Sequence, residues 1–285
     1  MPGERSTVPD EANAGKSEKE ANTQASASGP CARLGRALKA GLREAWDRLG
    51  LVIAISLTWA LLWFPPLIPG RLPAPLPPVV RLALMALIAV LTLSAPMAGA
   101  FHVAHLAASH EEVAYGDFWR GAWRMYGPAT RLGLIHLLVW SVGLTNLWFY
   151  LNIGHLIGSV AALFCLYVLL FWAMMSVYHF PLLAAQEAGV FDEPGRQARR
   201  GAWAAIRRAF FLTMGAPLYT AGVLAVVIAV TALLFATVAL ALILWLGVFS
   251  LVTTYPTRAL LVQFGVLPPP PPEEPVPDEH FRIKD

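Results

Sequence analysis

The tetrapeptide Arg-Gly-Ala-Trp occupies residues 120–123 and recurs at residues 200–203, each time shortly before a long apolar stretch. A degenerate copy, Arg-Glu-Ala-Trp at residues 43–46, precedes another apolar stretch. The tryptophans of the three copies are almost evenly spaced along the chain. We therefore predict an internal repeat of three units, each made of a basic, aromatic helix and the apolar segments that follow it.

The apolar stretches indicate a membrane protein. Hydrophobic residues make up 57% of the chain and charged residues 14%. Soluble domains contain about 45–50% hydrophobic residues and about 25% charged residues. Four windows contain no Asp, Glu, Lys or Arg: 49–70, 82–110, 132–186 and 209–257. A membrane helix needs about 20 mostly apolar residues. The first two windows therefore hold one crossing each, and the last two hold two each.

The predicted fold is an all-α polytopic membrane protein with six crossings in three hairpins, each preceded by a basic amphipathic interfacial helix. The predicted crossings are residues 50–64, 80–103, 132–151, 156–180, 216–236 and 239–257. We expect a proline-rich, non-helical loop at 65–80 and the last turn near 235–238. The membrane domain, 33–264, lies between an N-terminal tail (1–32) and a proline-rich acidic tail (265–285), both predicted to be disordered.

The segments before the hairpins have the pattern of helices that lie on a membrane surface. In the first segment, apolar residues recur every three or four positions from Leu34 to Leu49, and the third basic helix is predicted over 195–208. We interpret these helices as anchors in which tryptophan lies at the headgroups and arginine meets anionic lipid. The alternative is a docking surface for a cytoplasmic partner. Under either interpretation the contact residues are Trp46, Arg120, Trp123, Arg200 and Trp203.

The distribution of basic residues predicts the orientation. Arginine and lysine cluster before the first, third and fifth crossings and after the sixth, whereas Arg71 and Arg81 are the basic residues expected on the opposite side. The positive-inside rule then places both termini in the cytoplasm. We expect a multi-pass protein of the plasma (inner) membrane. Because the basic residues lie at the ends of apolar windows and form no soluble basic domain, we predict no nucleic-acid partner.

The second crossing of each unit carries a proline at or near its predicted cytoplasmic end. These prolines are Pro96, Pro181 and Pro256. A proline inside a helix removes one backbone hydrogen bond and kinks the helix. We therefore regard the three prolines as hinge candidates.

Few residues suggest catalytic chemistry. His102, His105 and His110 are weak metal-ligand candidates, because the first two share one face of a helix. Their spacing matches no metal-binding signature, and interfacial histidines are the favoured interpretation. The sequence contains no GxSxG, no glycine-rich phosphate loop and no paired catalytic carboxylates. We predict no enzyme activity, no catalytic residues and no cofactor.

Polar residues also occur within or between the third and fourth crossings. His136 and Asn146 are expected to bond to neighbouring helices, and the alternative is that they line a substrate path. None of the predicted crossings contains Asp or Glu. This makes an ion-coupled carrier less expected, because such carriers usually hold an intramembrane carboxylate or a broken helix.

The segment Pro96-Met-Ala-Gly-Ala-Phe101, the polar turn at 109–117 and then Phe118-Trp119-Arg-Gly-Ala-Trp123 resemble the YesL-like family of bacterial membrane proteins. The resemblance covers roughly residues 85–264. It implies a six-helix inner-membrane protein of unknown activity, often found beside carbohydrate ABC-transport systems, whose components would be partners. The chain departs from the family in its proline-rich loop and both tails, and the family offers no catalytic residues to transfer.

These observations lead to one main functional hypothesis and two alternatives. The main hypothesis is a non-enzymatic, permease-like or auxiliary component of solute uptake, with carbohydrate among the solutes considered. The first alternative is a stand-alone pore or carrier. The second is a membrane enzyme that uses the histidines at 102, 105 and 110 as a metal site.

Overall fold

The computed structural model describes residues 29–71, 77–192 and 198–268. Within these ranges the regular structure is entirely helical, which confirms the all-α class. The helices are α1 (Pro30–Asp47), α2 (Leu49–Leu61), α3 (Phe64–Arg71), α4 (Pro78–Ala108), α5 (Tyr115–Arg124), α6 (Tyr126–Asn152), α7 (Leu156–Glu187), α8 (Ala202–Gly215), α9 (Pro217–Ala236) and α10 (Val238–Gln263).

Six apolar helical segments in the described part of the chain are long enough to cross a membrane, as predicted. They are Leu49–Gly70, Pro78–Ala108, Tyr126–Asn152, Leu156–Glu187, Pro217–Ala236 and Val238–Gln263. The turn between the last two lies at Thr237, inside the range 235–238 expected for it. Most crossings extend several residues beyond the predicted ends, because the helices continue into segments that also contain polar residues.

The prediction of a non-helical loop at 65–80 is wrong at both ends. Helix α3 begins at Phe64, so Pro65 and Pro66 lie in its first turn, and α4 begins at Pro78. Proline is tolerated in the first turn of a helix because the backbone N–H it lacks would have no partner there. The first crossing therefore continues to Gly70 instead of ending at residue 64. Residues 72–76 lie outside the described residues.

Two other predicted boundaries differ. Helix α1 begins at Pro30, inside the predicted N-terminal tail, while the predicted tail segments 1–28 and 269–285 lie outside the described residues. Helix α8 begins only at Ala202, although a helix was predicted from residue 195. Gly201 has φ +121°, which a right-handed helix cannot accommodate. Residues 193–197 are not among those described.

Three inner helices, α4, α7 and α10, form the centre of the bundle, and each contacts the other two. Phe101 of α4 stacks on Phe180 of α7, with ring centroids 5.4 Å apart. The same ring meets the edge of Phe249 of α10 at 5.8 Å. The inner helices are the second crossings of the three hairpins. The predicted hinge prolines are buried within them, at Pro96, Pro181 and Pro256.

The first crossings form an outer layer, and each lies between two inner helices. Helix α2 packs against α10 and α4, α6 against α4 and α7, and α9 against α7 and α10. The bundle is therefore approximately threefold, with one hairpin per repeat.

The short helices pack mainly on inner helices, and this changes the predicted repeat unit. Helix α5 makes its main contact with α4, α8 with α7, and α1 with α10. The structural unit is therefore an inner helix with the short helix that follows it, and the N-terminal helix α1 completes the unit of α10. Gly41 permits this closure, because a Cβ there would lie 3.3 Å from the carbonyl oxygen of Leu251.

The three copies of the tetrapeptide do not share one position relative to the crossings. Trp46 and Trp123 lie three residues before the first residues of α2 and α6, whereas Trp203 lies at the start of α8, well before α9. The copies share instead an alanine that faces the protein and a tryptophan that faces outward. The tryptophans are 70–75% exposed, whereas the alanines that precede them are buried.

Candidate functional site

A cavity of about 510 Å³, open on one side, lies between α4, α6 and α7. Its wall is mostly apolar and includes Ala89, Met97, Leu137, Trp140 and Val177. Small-molecule sites in proteins usually have volumes of about 300–1,000 Å³ and mostly apolar walls with a few polar groups. The cavity therefore has the size and character of a binding site.

Small residues create this cavity. At Gly133, α6 approaches α4 so closely that a Cβ would lie 2.9 Å from Ser94 Oγ and from Val90 Cγ1. Farther toward the N-terminus of α4, Ala86 and Ala89 line the cavity. Their side chains are too short to fill the space between the helices.

A pair of histidines joins two helices beside the cavity. Nε2 of His136 on α6 lies 2.9 Å from Nδ1 of His179 on α7, a hydrogen-bonding distance. His136 lines the cavity, whereas His179 is fully buried. The indole ring of Trp172 lies against both, with centroids 5.4 Å from His136 and 5.2 Å from His179. The expectation that His136 bonds to a neighbouring helix is therefore confirmed.

The histidine pair can offer either a donor or an acceptor to the cavity. A neutral imidazole carries one N–H and one acceptor nitrogen. When Nε2–H of His136 donates to Nδ1 of His179, the other ring nitrogen of His136, Nδ1, is an acceptor. When Nδ1–H of His179 donates to Nε2 of His136, Nδ1 of His136 carries the proton and is a donor. Both tautomers satisfy the hydrogen bond between the rings. The site can therefore accommodate ligands of either hydrogen-bonding type.

Two further polar atoms at this site have no partner in the described part of the chain. They are His179 Nε2 and Trp172 Nε1, and both are buried. Leaving a buried polar group unpaired costs about 1–3 kcal/mol. Neither residue lines the cavity, so these two atoms are not part of its wall.

One end of the cavity is lined by an aromatic cluster. Phe101, Phe180 and Phe249 line the cavity at the end nearest the C-termini of α4 and α7, and the ring of Phe101 contacts the other two rings. Each comes from a different inner helix.

The structure does not assemble the metal site that the sequence suggested. His102, His105 and His110 are not brought together, and no group of three or more His, Cys, Asp or Glu residues in the described ranges could hold a metal. His102 packs against Gly121 of α5, and a Cβ added to Gly121 would lie only 2.4 Å from the Cβ of His102. His110 follows the end of α4 with φ +60°. His102 therefore packs two helices together, and His110 lies at the end of α4.

The arginines proposed for docking form local ion pairs. Arg120 pairs with Asp117, and Arg200 pairs with Asp192 at 2.5 Å. Asp192 also accepts a hydrogen bond from the backbone N–H of Ala198 at 2.9 Å. This hydrogen bond is the main reason why the pKa of Asp192 lies below its usual range, and the contact with Arg200 is the second reason.

Sequence reasoning missed the histidine pair and misplaced Asn146. His179 is farther from the turn between α6 and α7 than His136 is, so counting residues from the turn would not pair them. The available signal was only that two adjacent crossings each contain a histidine. Asn146 was expected to bond to a neighbouring helix, but its amide donates to Val142 of its own helix.

No family model, curated protein or solved structure matches this chain. The YesL-like resemblance therefore stays a prediction that rests on the residues quoted for it. The structure itself defines the class: the chain is a multi-pass α-helical membrane protein with six crossings.

Proposed function

We propose that this protein is a permease-like component of solute uptake and that its solute occupies the cavity between α4, α6 and α7. The observation that supports this most directly is a cavity of about 510 Å³ between membrane crossings, with His136 in an otherwise largely apolar wall. Transporters commonly bind their substrates inside the helix bundle, near the middle of the membrane.

The wall favours a solute that is mostly apolar and carries one hydrogen-bonding group. Two lining serines already donate to their own helices, Ser94 to Val90 at 2.5 Å and Ser176 to Trp172 at 2.7 Å. His136 is then the main polar contact that the described wall offers. A carbohydrate would bring several hydroxyls without partners, at about 1–3 kcal/mol each. An amphipathic solute therefore fits the wall better than a sugar.

The proposed location is a bacterial plasma membrane, with both termini in the cytoplasm. The support is the clustering of Arg and Lys in the segments next to α1, α5 and α8, because cytoplasmic loops carry an excess of positive charge. In this orientation the cluster of three phenylalanines lies at the cytoplasmic end of the cavity. It would separate a bound solute from the cytoplasm.

Binding can be tested with purified protein and three probes. These are 2-naphthol, which is apolar with one hydroxyl, naphthalene, which lacks the hydroxyl, and glucose. Ala89→Phe should fill the cavity, whereas Ala83→Phe places the same ring on an exposed position of the same helix. We expect the wild type and Ala83→Phe to bind 2-naphthol more tightly than naphthalene and glucose, measured by quenching of tryptophan fluorescence.

The same series can contradict the proposal. If Ala89→Phe bound 2-naphthol as well as Ala83→Phe did, the probe would not occupy this cavity. The role in uptake has its own test, because a deletion strain with unchanged uptake across a broad panel of growth substrates would argue against it.

A further inference from the structure

Helix α8 has an exposed apolar face that contains one cation. The members of this face, spaced three or four residues apart, are Trp203, Arg207, Phe210, Phe211 and Met214. The opposite face consists mainly of alanines, which are buried where α8 packs on α7. The helix therefore presents a continuous outward surface that the described part of the protein does not cover.

A groove of about 280 Å³ lies along this face, between α8 and α7. Met175 and Phe210 line its apolar part, and Arg207 and Trp203 line it as well. The guanidinium of Arg207 lies 5.9 Å from the centroid of the Phe211 ring. This is a cation–π distance, so a positive charge is held directly over apolar surface.

Arg207 differs from three nearby arginines that form ion pairs. Arg124 pairs with Glu187, and Arg120 and Arg200 pair with aspartates close to them in sequence. Arg207 makes no ion pair with any residue in the described ranges. Its charge is therefore available to an external anion.

The groove is continuous with a surface that faces lipid. Phe210 packs on Phe171 of α7 with ring centroids 5.9 Å apart, and α7 is a membrane crossing. Toward its N-terminus, α7 exposes large apolar side chains, including Leu163, Phe164 and Tyr167. An acyl chain that lies against α7 can therefore extend into the groove without crossing a polar barrier.

We propose that the groove between α7 and α8 binds an anionic phospholipid. The phosphate contacts Arg207, one acyl chain lies along Met175 and Phe210, and Trp203 packs at headgroup level. The combination of an unpaired cation, an apolar groove and an exposed tryptophan matches the charge and the chains of such a lipid. This site is separate from the cavity and does not depend on the proposed uptake function.

The experiment compares two lipids with the same acyl chains. Delipidated full-length protein is titrated with synthetic phosphatidylglycerol or phosphatidylcholine, and the bound fraction is measured by native mass spectrometry. We expect tighter binding of phosphatidylglycerol. Loss of one cation near a membrane costs about 1 kcal/mol, so Arg207→Gln should weaken phosphatidylglycerol binding about fivefold. Arg207→Lys should keep most of the preference.

Arg199→Gln is the matched control, because Arg199 is exposed and does not line the groove. It removes the same charge and should leave the lipid preference unchanged. Glycerol phosphate, which has no acyl chains, should not compete with the lipid. Equal binding of both lipids by the wild type would overturn the proposal. So would equal losses in Arg199→Gln and Arg207→Gln, or competition by glycerol phosphate.

Discussion

Two equivalent positions in the threefold bundle have different interiors. Helix α2 lies between α10 and α4, and α6 lies between α4 and α7. In the first position indole rings pack together: the ring centroids of Trp59 and Trp245 lie 4.6 Å apart, and those of Trp59 and Trp63 lie 5.6 Å apart. The second position holds the cavity and the histidine pair.

The comparison teaches that the helix arrangement alone does not create the site. Side-chain volume and close approach decide whether a position is packed or open. At the packed position, the backbone N–H of Gly247 on α10 donates to Ser56 Oγ on α2 at 3.0 Å, and both are buried. At the open position the helices meet at Gly133 and diverge where the wall is made of alanines. The first position is packed with side chains, and the second leaves the space in which we propose that a solute binds.

The largest expected effect comes from removing an indole ring at the packed position. Trp59 is 7% exposed, so Trp59→Ala should leave a void and lower the free energy of unfolding by about 3 kcal/mol. Trp140 borders the existing cavity, and Trp140→Ala should cost less than about 1 kcal/mol because little packing is lost. Unfolding in detergent with increasing denaturant measures both. Equal losses would show that the two positions are equally packed.

The next largest effect on stability is expected when alanine replaces Gly247 at the packed position, and a smaller one when it replaces Gly133 at the open position. A Cβ at Gly247 would lie 2.9 Å from the Cα and the carbonyl oxygen of Val52, and backbone atoms cannot shift as easily as the end of a flexible side chain. Gly247→Ala should therefore lower the free energy of unfolding by about 2 kcal/mol. At Gly133 a Cβ would meet only side-chain atoms beside a cavity. Gly133→Ala should cost under about 1 kcal/mol, and a reversed order in thermal unfolding would contradict this difference.

A smaller effect is expected at the histidine pair. His136→Leu removes the partner of the buried His179 and should cost about 1–2 kcal/mol. Replacing both histidines by leucine removes the unpaired nitrogens as well, so the double variant should be more stable than the single one. A double-mutant cycle of unfolding free energies measures the coupling. Additive losses would show that the hydrogen bond between the rings contributes nothing.

The smallest effect on stability is expected inside the cavity. Ala89→Phe places a ring in open space and should change the free energy of unfolding by less than about 0.5 kcal/mol. The same variant should lose binding of 2-naphthol. A large destabilisation would mean that the wall cannot accept the ring, and the cavity would then be smaller in solution than in the structure. Circular dichroism melting curves of this variant and of Ala83→Phe provide the comparison.

Much of the fold could be predicted because membrane crossings are a local property. A helix satisfies its backbone hydrogen bonds within its own segment, so an apolar run of sufficient length identifies it. Even the turn at Thr237 fell in the expected range, although its window contains no charge. The prediction of a loop at 65–80 is wrong because proline does not exclude the first turn of a helix, and Pro65 and Pro66 lie in such a turn.

The candidate site could not be predicted to the same extent. A crossing in lipid is apolar on all sides, so its pattern does not show which face meets another helix. The sequence indicated that His136 bonds to a neighbouring helix, but it did not identify His179 as the partner. The histidines at 102, 105 and 110 were weak metal-ligand candidates in the sequence, and the described residues contain no group of three or more potential ligands there.

The sequence by itself determined the class of the protein, the number of crossings and the clustering of charge at one end of them. These follow from composition over short windows, where the free energy of transfer into lipid outweighs other terms. Only the tertiary structure decided that α1 closes the ring on α10, that the hairpins form an inner and an outer layer, and that one position stays open. These features depend on contacts between distant residues, such as Gly41 with Leu251 and His136 with His179. Packing geometry, and not local composition, selects them.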